Sequence, residues 1–378
     1  MIKILIVTRH FVREVSELVR YARRVHFPAE FCVTLPIDNA HQGRSKQHDF
    51  GAARIRQRKV YFSHRMRAAW YEPALFRDVF AFQPDILHLF EEFSGLIAFQ
   101  TLLFNRILGR NSKVLLYSAE NLPHNMRPMF RLLMRYVMRH SDAALVCSHG
   151  VTPILKGEGY TKPIEVFPLG VDISQFYKFS VESLKMQLKL DGKFVIGYVG
   201  RLLEIKGVLF LIEMMRHLPE NVHLLMVGSG PEELRLRRMA SDFRVAHRIH
   251  FAGAVPYSDL PRYMNCMDLS IVPSQTTPYW KEQFGRVLVE LMSCEVPVIG
   301  SNSGSIPEVI GEAGYIFPEH RLAELTRIIQ DMIEQPEQRR NIGQHGRERV
   351  RQHYSMEIMC QQIVTMYETL INEENDYT

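Results

Sequence analysis

Cysteine is sparse in this 378-residue chain: Cys32, Cys147, Cys266, Cys294 and Cys360 form no C-x-x-C pair and no zinc-like spacing. That excludes a disulfide scaffold and a cysteine-ligated metal, and implies reduced, mostly buried thiols in a cytoplasmic protein. Long apolar runs are also missing. None reaches bilayer length, and the apolar start Ile2–Thr8 meets Arg9 too soon for a signal peptide. No D-x-D pair occurs, so a two-aspartate clamp for a divalent metal has no ligands, and no metal or other cofactor is expected. No G-x-G-x-x-G follows the first apolar run, which argues against a dinucleotide-dependent oxidoreductase. Low-complexity tracts and short repeats are absent too.

What remains is a globular composition, 46% hydrophobic and 23% charged, on a chain too long for one comfortable core. Short β-branched runs alternate with helical stretches, the pattern of parallel sheets covered on both faces. Ile2–Val7, Phe31–Leu35, Lys59–Phe62, Ile86–Leu89, Val114–Tyr117 and Ala144–Cys147 read as strands of a first doubly wound unit. Phe194–Val199, His223–Val227, Ile249–Phe251, Leu269–Val272, Val296–Ile299 and Tyr315–Phe317 read as a second. Pro168–Asp172 and the polar stretch to Asp191 look like a linker. The expected fold is α/β, two Rossmann-like doubly wound domains, 1–170 and 171–350, facing a cleft, with ligands at the carboxyl ends of the strands. From Leu322 to Ile371 the pattern is helical, with breaks at Gln335-Pro336 and Tyr354-Ser355. Charge divides with the domains: residues 1–170 carry a net +10 and residues 171–378 a net −5.

The most informative stretch runs from Glu282 to Glu290, EQFGRVLVE. A helix starting near Phe284 puts Glu290 in its second turn and Glu282 ahead of it, roughly 10 Å apart along the axis. The helix start between them has amides and a dipole that attract an anion, and Gly285 lets the backbone come close. The flanking carboxylates can accept hydrogen bonds from hydroxyls. Sugar hydroxyls, then a diphosphate, then ribose hydroxyls make a nucleotide sugar. Two solvated glutamates on a surface helix are the plainer alternative. Elsewhere, Gly200-Arg201 follows the strand Phe194–Val199, and Lys206-Gly207 stands five residues on. Two cations across one βα turn can converge on a diphosphate, Arg as a planar fork and Lys as a point charge. A solvated turn is the alternative there. Val227-Gly228-Ser229-Gly230-Pro231 is a strand ending in a glycine turn, with Pro at a helix's first position.

Together these segments resemble the retaining glycosyltransferases of family 4, which have the GT-B fold. The E-x7-E motif of that family matches from Glu282 through Phe284, Gly285, Arg286, Val287 and Leu288 to Glu290. Its V-G-R-L…K-G motif matches Val199–Leu202 with Lys206-Gly207, and its G-x-G-P segment matches Gly228–Pro231. Phe251–Pro256 and Ser303–Glu308 extend the match, the latter with Ser305 in place of a glycine, so that it covers about Pro168 to Pro318. The resemblance implies that Glu282 contacts the donor sugar, Glu290 the ribose, and Arg201 with Lys206 the donor diphosphate. It places Gly200, Gly228 and Gly230 by the nucleotide and the backbone near Val255 on the base. It further implies that the segment 351–378 crosses back to the N-terminal domain.

The first unit departs from that family. Val7-Thr8-Arg9-His10-Phe11 lacks the glycine pair usual after the first strand. Either the loop is rebuilt, with Arg9, His10 or Arg13 supplying phosphate or acceptor contacts, or the donor is handled differently. After the strand Val114–Tyr117, Ala119-Glu120-Asn121 stands where the family often has His-Asp. Glu120 either orients an acceptor hydroxyl or the donor sugar, with a pKa raised by burial, or caps the following turn. Glu91, Glu92 and Asn121 are placed on the acceptor side, and His88 reads as a satisfied core histidine. Eight cations between Arg44 and Arg67, and Arg127, Arg131, Arg135 and Arg139 at helical spacing, could form a cationic amphipathic face for an anionic membrane or a diphosphate-linked acceptor. A solvated face is the plainer explanation, and no nucleic-acid partner is expected because no such motif accompanies the run.

The expectation is therefore a metal-independent, retaining transfer of sugar from a nucleoside diphosphate sugar to a hydroxyl of a glycan, lipid-linked or small-molecule acceptor. Arg201, Lys206, Glu282 and Glu120 would carry it, in the cytoplasm or at the inner face of the membrane, in polysaccharide biosynthesis. The competing readings are a catalytically silent scaffold of the same fold and a sugar-nucleotide epimerase.

Overall fold

A parallel strand covered by helices on both faces must be apolar at successive positions, and this decides which runs became central strands. The computed structural model describes residues 1–37, 49–65, 67–123 and 126–375. Two units result: one of the described residues of Met1–Gly170 with the C-terminal helix Met356–Asn375, the other of Val171–Ser355.

In the first unit the strands are β1 (Ile2–Thr8), β2 (Ala29–Pro36), β3 (Arg54–Arg58), β4 (Val60–Tyr61), β5 (Trp70–Tyr71), β6 (Ile86–Phe90), β7 (Lys113–Ser118), β8 (Ala143–Val146) and β9 (Ile164–Val166). Seven form a parallel sheet in the order β3-β2-β1-β6-β7-β8-β9. The second unit has β10 (Phe194–Val199), β11 (Val222–Val227), β12 (Ile249–Gly253), β13 (Leu269–Val272), β14 (Val298–Ser301) and β15 (Tyr315–Phe317). They form a parallel sheet in the order β12-β11-β10-β13-β14-β15. Counted within the unit this is 3-2-1-4-5-6, the Rossmann order. Every residue of β6, β11 and β13 is buried.

The run Lys59–Phe62 is not a strand of the main sheet. Arg54–Arg58 pairs with β2 instead, while β4 turns away into an antiparallel ribbon with β5. An edge strand needs no apolar run, and charge on it discourages pairing with another chain. Here Arg54 lies 2.5 Å from Glu30 and Arg58 forks Asp78 at 2.8 and 2.5 Å. At the opposite edge β9 is too short for apolar content to reveal it. Nor is the stretch after Asp172 a linker. It belongs to the second unit, where the Asp172 carboxylate accepts the amide of Ser174 at 2.9 Å and the helix Glu182–Gln187 follows.

Leu322–Glu334, Pro336–His353 and Met356–Asn375 are helices whose breaks fall at Gln335 and Tyr354-Ser355. The last packs on the helix Val12–Arg24 within the first unit. There the Tyr367 hydroxyl lies 2.6 Å from His88 Nδ1, and burial pushes the His88 pKa down to about 3, so the ring is neutral. No helix among the described residues is long and apolar enough to cross a membrane. Removing the hydroxyl leaves His88 Nδ1 buried without its partner, at a cost of about 1–3 kcal/mol. Tyr367→Phe should therefore lower the urea midpoint of the first unit; an unchanged midpoint would show that the pair contributes nothing.

Candidate active site

Each sheet reverses strand order once, between β1 and β6 in the first unit and between β10 and β13 in the second. Loops leaving the carboxyl ends on either side of such a point diverge and leave room for a ligand.

In the second unit the loops after β10 and β13 meet through one carboxylate. Glu282, 7% exposed, accepts Lys206 Nζ at 2.7 Å and Ser274 Oγ at 2.7 Å on the same oxygen. The Lys206 ammonium also sits 4.6 Å from the centre of the Trp280 ring, a cation–π distance. The backbone fixes this arrangement from two sides. Gln275 N donates to Ile205 O at 2.8 Å, and Ser305 N donates to Glu282 O at 3.0 Å. Gly304 permits the second contact, since a Cβ there would lie 2.0 Å from the Glu282 carbonyl oxygen. Gly285, at φ 78°, turns the chain into the helix Arg286–Ser293, whose first-turn amides have no acceptor one turn back within the helix.

Other residues singled out from the sequence take definite places around it. Arg201 is exposed and makes no ion pair among the described residues, while its carbonyl accepts the Tyr198 hydroxyl at 2.7 Å. Burial pushes the Tyr198 phenol up, so that hydroxyl stays protonated. Gly200 N donates to Val227 O at 2.9 Å, Gly228 N to Gly253 O at 2.8 Å, and Leu202 N to Ser229 O beside Gly230 at 3.0 Å, which laces three strand ends together. Val255 is half-buried just beyond β12. Arg286 and Val287 are half-buried in the first helical turn, whereas the side chains of Phe284 and Leu288 are core and the Leu288 amide donates to Gly285 O at 2.8 Å. Glu290 is 4% exposed and accepts the Tyr257 hydroxyl at 2.9 Å. Ser274, Trp280 and Tyr257 were not anticipated. Ser274 and Trp280 sit just ahead of Glu282 in sequence, which was the available signal.

The first unit solves its turn after β1 without glycine. Thr8 Oγ1 accepts the amides of His10 at 3.3 Å and Phe11 at 3.1 Å, and residues 9–11 need no positive φ. Arg9 is buried and forks Glu91 with contacts of 2.9, 3.0 and 2.6 Å. Removing one member of such a pair typically costs about 3–5 kcal/mol. His10 is exposed and Asn121 buried. Glu120 accepts Arg67 Nη2 at 2.9 Å and Ser94 Oγ at 3.4 Å, and Arg67 Nε also donates to Ser94 at 3.1 Å. Arg67 thus belongs to a carboxylate cluster, and the basic stretch is not one continuous face: Arg54, Arg56 and Arg58 lie on β3, and Arg44 and Lys46 lie outside the described residues.

Glu92 completes the cluster, accepting Ser118 Oγ at 2.6 Å and the amide of Ala119 at 2.7 Å. Burial, with the charge of Glu120 adding to it, pushes Glu92 up to about 8. Among the described residues no group of three or more His, Cys, Asp or Glu is placed to hold a metal ion.

Residues 181–349 match the family Glycosyl transferases group 1, and residues 12–175 match Glycosyltransferase Family 4. The chain is related to both glycosyltransferase families and has the GT-B fold. It is 32% identical over 209 residues to the capsular polysaccharide biosynthesis glycosyltransferase CapM of Staphylococcus aureus, covering 53% of each chain. Over 302 residues it is 24% identical to the N-acetyl-alpha-D-glucosaminyl L-malate synthase of Bacillus anthracis, covering 77% of this chain and 76% of that one. The match thus spans about half the length of the first relative and three-quarters of the second. HepE of Anabaena, solved in complex with UDP, superposes with a TM-score of 0.79 at 20% identity, over 98% of this chain and all of that one. A glycosyltransferase from Rickettsia africae ESF-5 superposes with a TM-score of 0.80 at 17% identity, over 98% of both. These likenesses fix the fold.

The raised Glu92 carboxyl has a consequence for stability. Its folded value lies above its ordinary value of 4.5, so the folded state holds a proton the unfolded state has lost. Stability from this group is full below about pH 4.5 and is lost as pH rises through about 8. Glu92→Gln keeps the shape and removes the titration. The wild type should lose melting temperature relative to Glu92→Gln between about pH 5 and pH 8, and parallel pH profiles would contradict the assignment.

Proposed function

We propose that this glycosyltransferase moves a glycosyl group from a nucleoside diphosphate sugar to a hydroxyl of a glycan, lipid-linked or small-molecule acceptor, with retention and without a metal. The observation that carries this is the cluster at the β10/β13 switch point: Lys206 paired with buried Glu282, beside exposed Arg201 and the start of the helix Arg286–Ser293.

Breaking the bond between the anomeric carbon and the diphosphate leaves negative charge on the departing oxygen. Arg201, Lys206 and the helix start supply positive potential there, fixed before reaction, which is the arrangement that lowers such barriers. With no donor bound, Lys206 neutralises Glu282. A diphosphate competes for the ammonium, and the carboxylate then accepts hydrogen bonds from sugar hydroxyls, so the site exchanges partners instead of creating unpaired charge. Glu290, oriented by Tyr257, is suited to ribose hydroxyls. The backbone by Gly228, Gly230 and Val255 is read as the nucleotide and base contacts. The departing phosphate oxygen accepts the acceptor's proton on the same face, so no separate base is required. Glu120, held by Arg67, with His10 and Asn121, is read as the acceptor side, and Arg9 with Glu91 as its buried brace.

Relatives support the acceptor classes. One is a capsular polysaccharide enzyme, and another, from Corynebacterium glutamicum, is a GDP-mannose-dependent phosphatidylinositol monomannoside mannosyltransferase. A membrane surface is supported by the helix Pro128–Arg139, where Met129 and Leu132 are exposed beside Arg127 and Arg135. That surface would lie at the cytoplasmic face of the membrane.

Transfer should fall by about 10²-fold or more in both Glu282→Ala and Arg201→Ala, with folding intact by circular dichroism. Near wild-type transfer in both would sink the site assignment. An inverted anomeric configuration in the product, read by NMR, would overturn retention alone. Binding to anionic liposomes should drop when Arg127, Arg131 and Arg135 are neutralised together; unchanged flotation would remove the membrane from the proposal.

A further inference from the structure

We propose a second anion site in the first unit, at the amino-terminal end of its sheet, that takes a phosphate-bearing ligand. A cavity of about 550 Å³ opens there, walled by Arg106, Arg110, Lys113, Arg139, His140 and Lys162. Lys113 is the first residue of β7, whose last residue, Ser118, donates to Glu92. At about 3.3 Å per residue the strand separates this cavity from the carboxylate cluster by roughly 17 Å. It is therefore not part of the site described above.

The walls are arranged for an anion. Arg106, Arg110, Lys113, Arg139 and Lys162 make no ion pair with a carboxylate among the described residues. Asp142, the acidic residue of the lining, already accepts the amide of Val114 at 2.7 Å. His140 lies with Nδ1 2.7 Å from the Tyr136 carbonyl, which fixes the tautomer, and its Nε2 accepts Arg106 Nη1 at 2.5 Å. That contact holds a guanidinium in the wall. Arg110 Nε is buried and has no hydrogen-bond partner among the described residues, so one donor is already desolvated and waiting for an acceptor.

An ordinary reason for cations at this end is the helices Leu96–Ile107 and Pro128–Arg139, which both finish here. Each carboxyl end carries only about half a negative charge. Two helix ends and Asp142 offset about two of the five permanent cations, leaving an excess of roughly three. A phosphate or diphosphate group supplies the missing charge, and arginine forks match its oxygens.

Beside the cavity, and sharing Asp142 with it, lies a more apolar groove of about 440 Å³ lined by Leu145, Phe167, Met366 and Leu370. A soluble phosphate compound would fill the basic cavity alone. A phosphate headgroup on a hydrocarbon chain would use the groove as well. Both share the phosphate chemistry that the site recognises.

The test uses the full chain carrying Arg201→Ala and Lys206→Ala, so that anions no longer report the donor site. Pyrophosphate and dihexanoyl phosphatidic acid, each below any micelle concentration, are titrated calorimetrically. At least one should bind, and Arg106→Gln with Arg110→Gln should weaken it tenfold or more. Equal or better binding of pyrophosphate supports a soluble ligand; phosphatidic acid tenfold tighter supports a lipid. If the arginine pair compromises folding, the exposed Arg139→Gln with Lys162→Gln is the substitute, with the same weakening expected. No binding of either ligand, or binding unchanged in a folded double variant, overturns the proposal.

Discussion

A carboxylate taken out of water must find donors, and in this protein Glu282 finds them on two different loops. Lys206 comes from the turn after β10 and Ser274 from the end of β13, and both reach the same oxygen at 2.7 Å. The loops after β10 and β13 are joined at that oxygen. It fixes where the ammonium stands, and the backbone of Glu282 in turn anchors the turn at Gly304 and Ser305. Eight residues on, Glu290 is buried with its own donor, Tyr257. The two carboxylates thus flank a helix start from fixed positions, each satisfied before any ligand arrives. A site built in this way spends little on reorganisation when charge develops in it.

The first unit handles buried charge differently. Arg9 and Glu91 pair in a buried fork at the β1/β6 switch point. Beside it Glu92 and Glu120 stand close enough for one to raise the other, and among the described residues Arg67 bonds Glu120 and not Glu92. The turn after β1 is made by a threonine, since a hydroxyl accepting two amides can bend the chain where φ stays negative.

Much of the fold was legible because central parallel strands are apolar at nearly every position, and the runs at β1, β6, β10 and β13 announce themselves. The edge strand Arg54–Arg58 did not, since its alternating arginines satisfy an exposed edge and look like a solvated tract. In the candidate site, Glu282, Glu290, Arg201 and Lys206 were legible because each sits at a fixed offset from a strand end or helix start. Arg67, Ser94, Ser274, Trp280 and Tyr257 were not, because their places depend on tertiary packing. Arg67 reaches Glu120 across 53 positions of sequence, a pairing that no local spacing encodes. His88 is core as expected but only half satisfied: Nδ1 meets Tyr367 from the last helix, 279 positions away, while its buried Nε2 has no hydrogen-bond partner among the described residues.

The proposed donor site stands or falls on whether Lys206 and Glu282 exchange partners with a diphosphate. The most direct measurement is the melting temperature of the wild type across a panel of nucleoside diphosphates and their sugars, beside Lys206→Ala. A ligand that binds only the folded protein raises that temperature by mass action. A rise with at least one nucleotide that disappears in Lys206→Ala is expected; no rise with any of them at millimolar concentration, or the same rise in both proteins, would contradict that exchange.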